Sequence, residues 1–123
     1  MKIYRFDKEV SKQVDAYGSK NFYISPISRI LEDQVSMQIA GMHLTKGGLI
    51  GGHEATVTQM LIVVEGEGLV KGADRVALPI KKGQVVLWEP GEWHETSTEE
   101  GLVAINIESD KLKPLKTLPL VEE

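Results

Sequence analysis

Between residue 36 and about residue 108, apolar and β-branched residues come in short runs cut by turn residues. The runs are SMQIAGMHLT, HEATVTQMLIVVE, GLVKG, RVALPI, QVVLW and LVAINIE. Gly47-Gly48, Gly66, Gly72-Ala73-Asp74, Gly83, Pro90-Gly91 and Gly101 punctuate them at intervals of roughly 6–18 residues. That spacing predicts an all-β sandwich or barrel. Only DKEVSKQVDAY carries a helical signal, with Asp7 as N-cap and Val10, Val14 and Tyr17 on one face. In the tail, KLKPLKTLPLVEE, Pro114 and Pro119 forbid a central strand or a continuous helix. Its leucines predict an extended arm laid on the domain or on a partner, or else a frayed terminus.

Side-chain parity raises a question about the longest run. Residues two apart on a strand share a face, so His53, Ala55, Val57, Gln59, Leu61 and Val63 point one way. Thr56, Thr58, Met60, Ile62 and Val64 point the other way. Both faces carry apolar groups, which predicts cover on both sides, as in a barrel that also makes an interface. In an unbroken strand His53 and Gln59 would lie about 20 Å apart. They meet at one site only if the chain bends in the ATVT region.

Composition narrows the function. A chain of 123 residues is one domain, large enough for a stable core without disulfides or a structural metal. It divides into 1–35 (N-terminal strands and a short helix), 36–108 (barrel core) and 109–123 (C-terminal arm). The absence of cysteine excludes thiolate nucleophiles and cysteine-based zinc sites. The start, MKIYRFDKEV, is charged and lacks the apolar core of a secretory signal. The stretch MLIVV is far short of the roughly 20 residues of a membrane helix. These features predict a cytoplasmic protein without a membrane partner. A net charge of −4 with scattered Lys and Arg argues against a nucleic-acid partner.

Two glycine-histidine clusters carry the chemistry. The first reads Gly47-x5-His53-x-Ala55-x3-Gln59-x6-Gly66, the second Gly83-x7-Gly91-x2-His94-x3-Thr98. They resemble the two motifs of the cupin superfamily, G-x5-H-x-H-x3-E-x6-G and G-x5-P-x-G-x2-H-x3-N, with a short stretch between them as in small single-domain cupins. The resemblance covers residues 47 to 98 and rests on four glycines and two histidines in register. It implies an antiparallel jelly-roll β-barrel of RmlC-like type with a cavity open at one end. It also implies a bend in the first-motif hairpin that brings the third ligand back towards the first two.

In metal-binding cupins, two histidines and a carboxylate of the first motif, with the histidine of the second, hold a divalent transition metal. The matching positions here are His53, Ala55, Gln59 and His94. Ala55 cannot ligate, and Gln59 offers a neutral amide oxygen in place of a carboxylate. The implied set is His53, Gln59 and His94 around Zn, Ni, Fe, Mn or Co, with one protein ligand missing. Glu89 stands where the family has Pro, and Thr98 where it has Asn.

Around these residues, Trp88 and Trp93 flank the EPGE turn at the expected mouth and either line a small-molecule pocket or pack the barrel. Glu92 is a general acid or base if buried, and otherwise a solvated loop carboxylate. Ala55, Trp88, Glu92, Trp93 and Thr98 are therefore the candidate substrate contacts. His43, in the preceding strand, is a late cavity ligand or, more simply, a hydrogen-bonded core or surface histidine. Two functions of different classes follow. One is a metal-assisted enzyme on a small molecule, of unassigned reaction; the other is a metal-free, non-catalytic cupin that binds or senses a small ligand. In either case, two-faced strands and the leucine-rich tail predict a homodimer.

Overall fold

A computed structural model describes residues 1–121, and strand dominates it from Lys20 onward. The strands are β1 (Lys12–Gln13), β2 (Lys20–Glu32), β3 (Val35–Glu54), β4 (Thr58–Lys71), β5 (Leu78–Lys81), β6 (Val85–Trp88), β7 (Trp93–Ser97) and β8 (Leu102–Ser109). Every pairing is antiparallel. The fold is an antiparallel β-barrel: the punctuated apolar runs predict a sandwich or barrel, and the resemblance implies the jelly-roll type.

Two long strands serve both layers of this barrel. The first half of β3 pairs with β8 and its second half with β7. β4 repeats the arrangement, with β8 and β6 along its first half and β7 and β5 along its second. The cycle β3–β8–β4–β7 therefore closes on itself, which removes the open edges of these four strands. One layer runs β2–β3–β8–β4–β6 and the facing one β3–β7–β4–β5. Alternation fills the space between them. On β8, Leu102, Ala104 and Asn106 point in and are buried, while Val103, Ile105 and Ile107 point out and are half-buried. Leu61, Val63, Met42 and Trp88 complete the centre of the core.

The N-terminal region departs from the helical expectation. Residues 7–17 form two single 3₁₀ turns, Lys8–Val10 and Ala16–Gly18, with β1 between them. The amide of Val14 donates to the Phe22 carbonyl at 2.9 Å, so tertiary pairing takes a group that a helix would have used internally. Tyr17 has φ 58 and ψ 27, a left-handed conformation that stops any right-handed helix there. The chain also turns between Glu54 and Thr58, the bend that the two-motif reading requires. Past β8 the chain turns at 109–112 and again at 115–118 and forms no further strand among the described residues, with Leu115, Leu118 and Leu120 exposed. The last two residues of the arm expected over 109–123 lie outside the described ones. Among the described residues no helix is long and apolar enough to cross a membrane.

Candidate functional site

His53 on β3 stands directly opposite His94 on β7, and the register between these strands shifts between Ile50 and His53. Gly51 and Gly52 occupy the shift because side chains there would collide. A Cβ at Gly51 would strike the Tyr17 carbonyl, and one at Gly52 would strike the Trp93 indole. The two imidazoles lie 4.4 Å apart between centroids, tilted by 57°.

Each ring is anchored to backbone through Nδ1. His53 Nδ1 lies 2.8 Å from the Gly51 carbonyl oxygen, and His94 Nδ1 lies 3.2 Å from that of Glu92. A carbonyl only accepts, so each Nδ1 carries a proton, and the neutral ring keeps its lone pair on Nε2. For His94, 2 % exposed, that Nε2 is buried with no partner. Burial holds the His94 pKa below its ordinary value, and the nearby His53 acts in the same direction. The Glu92 carbonyl and charge oppose the shift without reversing it. The result is a buried, neutral imidazole with an unused lone pair, set beside a second imidazole anchored to backbone in the same way.

Aromatic rings hold the pair on both sides. Trp88 packs on His94 at 4.6 Å and is fixed by its Nε1 donating to the Lys71 carbonyl at 3.1 Å. Tyr17 stacks on His53 at 4.5 Å, within 10° of parallel. Trp93 alternates away from His94 along β7. It lies over Gly52, with the Arg75 guanidinium 3.9 Å from its ring, so it braces the outside of the β3–β7 pair.

The other candidates take varied places. Gln59 is buried on β4, in register with Trp88 on one side and Glu108 on the other. It therefore shares an inner face with the tryptophan that covers His94. Ala55 is buried just past β3, its amide donating to Glu92 and its carbonyl accepting from Gly91. Both oxygens of the Glu92 carboxylate accept backbone amides, from Glu89 at 3.0 Å and Ala73 at 3.1 Å. It ties two loops together beside the histidines. Thr98 does similar work at the far end of β7, donating to the Glu67 carbonyl and accepting from Gly101. His43 belongs to the outer face, where its Nε2 donates to the Phe6 carbonyl at 2.9 Å and secures the N-terminal arm. It is a hydrogen-bonded structural histidine. No group of three or more His, Cys, Asp or Glu side chains among the described residues could hold a metal.

Sequence reasoning missed three sets of residues. Tyr17 had no signal, because its stacking depends on a left-handed turn. Asn106 and Glu108 had one: LVAINIE alternates so that 102, 104, 106 and 108 share a face, and polar groups interrupt an inward series. The third set is a row across the layer in which Arg29, Gln38, Glu108, Gln59 and Trp88 stand in register on successive strands. The next inward row, Ala40, Asn106, Leu61 and Val86, is apolar except for Asn106. One end of the barrel is thus polar inside, and the interior turns apolar along its length.

No family model and no curated protein matches the sequence. Solved structures do match. A cupin-like protein from Thermotoga maritima is similar at 23% identity and TM-score 0.68, over 86% of this chain and 80% of that one. An RmlC-like cupin from Shewanella frigidimarina is similar at 20% identity and TM-score 0.67, over 83% and 86%. The polyketide cyclase RemF from Streptomyces resistomycificus is similar at 14% identity and TM-score 0.69, over 98% and 89%. The chain has the cupin fold, an RmlC-like jelly roll.

Proposed function

We propose that this cupin barrel binds a small molecule in its interior, with a divalent transition ion held by His53, His94 and Gln59. The observation that carries the reading is the buried, unpartnered Nε2 of His94 beside a second imidazole. Backbone carbonyls hold both Nδ1 protons, the arrangement by which proteins present Nε2 to a metal. Burial keeps His94 neutral, as a ligand must be. Two imidazoles suit Zn, Ni, Co or Fe better than hard ions such as Mg, and an amide oxygen adds modest affinity. The ion would supply Lewis acidity; the chain's own residues orient the rings, exclude water through Trp88, and shape the polar end where a ligand enters. A cytoplasmic homodimer belongs to the same proposal.

Metal content of tag-free protein purified without chelator tests it, followed by nickel and zinc titrations. His53→Ala and His94→Ala are each expected to remove most uptake. The double variant should lose little more, because two ligands of one ion act as a unit. His43→Ala should bind as the wild type does. Equal losses in all three would refute the ligand set. A second reading, a metal-free ligand-binding or sensing barrel, is favoured by Ala55, which leaves one family ligand position without a donor. It predicts no metal in the purified protein and undiminished ligand binding after chelation.

A further inference from the structure

Asn106 is 4 % exposed and sits between Ala40 and Leu61, both buried, on the inner face of the barrel. Its orientation is set by its neighbour two residues on: Nδ2 donates to the Glu108 carboxylate at 3.4 Å. A carboxylate only accepts, so the amide cannot be turned round, and Oδ1 faces the other way. That oxygen is buried without a partner. Packing alone would favour Leu or Val at such a position, since a buried acceptor left unpaired lowers stability.

Among the described residues two buried side-chain atoms lack partners, His94 Nε2 and Asn106 Oδ1, and both are acceptors in these tautomers and orientations. The two residues stand on facing layers of the barrel. The adjoining Glu108 carboxylate also accepts only and disfavours anions. Gln59, in register with Glu108, offers amide donors to the same end of the interior. A hydroxyl group answers both needs, because it donates to one partner while accepting from the next. An ammonium ion only donates, and the cationic Arg29 stands in the same row.

We propose that Asn106 is a ligand-contacting residue. Its Oδ1 accepts a hydrogen bond from a hydroxyl of a neutral, polyhydroxylated small molecule, and Glu108 holds the amide in position. The inference rests on the reading that the interior takes a small molecule, and it is independent of the metal.

The test uses the full chain, EDTA-treated and nickel-loaded, titrated with glycerol and D-xylose, and with propionate and ethylamine for comparison. The hydroxylated probes are expected to shift the Asn106 side-chain amide in ¹H–¹⁵N spectra of both forms. Asn106→Leu should weaken them at least tenfold and raise the Tm of the empty protein, since an unpaired acceptor has gone. An Asn106 amide unmoved by both hydroxylated probes overturns the proposal without recourse to any variant. So does an Asn106→Leu protein with lowered Tm and unchanged probe binding, which would make the amide structural. A larger response to propionate or ethylamine refutes the ligand class. Probe binding without nickel binding would defeat only the metal reading; nickel binding with a silent Asn106 would defeat only this one.

Discussion

At the scale of the residue, His94 links the site to the stability of the fold. Its folded pKa lies below the ordinary histidine value of 6.5. As pH falls, the unfolded chain therefore takes up that proton before the folded chain does. Stability associated with neutral His94 is fully present above about 6.5 and is lost as pH falls toward the depressed folded value. In metal-free protein, Tm should decline through that acid window, and His94→Gln should flatten the decline. A wild-type profile no steeper than that of His94→Gln would remove His94 from the titration. Position 55 bears on the missing ligand. If the barrel keeps the geometry of a metal site, Ala55→His adds an imidazole and should raise nickel or zinc affinity at least about tenfold, since even outer-shell partners are worth roughly 10–100-fold. If the interior is shaped for an organic ligand alone, affinity stays flat. The buried, overpacked position then costs about 1–3 kcal/mol of stability. Calorimetric titration of both proteins separates these outcomes.

At the scale of the element, the β3–β7 strand pair shows how backbone places the two histidines. The register shift before His53 needs two residues without side chains, because Tyr17 crosses one side and Trp93 the other. Gly51→Ala would drive a Cβ into the Tyr17 backbone, which cannot give way as a flexible side-chain end could. It is expected to cost about 1–3 kcal/mol by overpacking and to loosen the Tyr17–His53 stack. Thermal unfolding and the His53 ring resonances would report both effects. An unchanged Tm with unshifted His53 signals would show that the turn carrying Tyr17 is not held against β3.

At the scale of the whole molecule, the outer face of the β3–β8–β4–β6 layer is apolar in register. Ile39, Ile107, Met60 and Leu87 stand side by side on successive strands, and Ile105, Ile62 and Val85 form the next row. Most are only half-buried in the single chain. Contiguous apolar surfaces are where proteins commonly associate, and this is the face through which the proposed homodimer would pair. Light scattering at micromolar concentration should find a dimer, and Ile107→Lys should shift it to monomer without unfolding the barrel. Deleting 111–123 should weaken the dimer if the leucine-rich tail crosses to the partner. A wild-type monomer would refute the assembly.

The barrel was legible in the sequence because strand alternation and glycine punctuation are local properties, written at fixed spacing. The pairing of His53 with His94 was legible as a resemblance, since glycines and histidines in register carry over when most other residues change. The amphipathic reading of 7–17 failed because the Val14–Phe22 hydrogen bond outweighs a weak local preference. The sequence by itself determined which residues alternate, where the chain turns and which ligand positions hold no donor. Only the tertiary structure decided that Glu92 and Thr98 spend their polar groups on loops, that Trp93 faces away, and that His43 holds the N-terminal arm. It alone brought Tyr17 onto His53 and left His94 Nε2 and Asn106 Oδ1 buried without partners. The reason is physical: a side chain's type is local, but its partners and its distance from water depend on strands far apart in the chain.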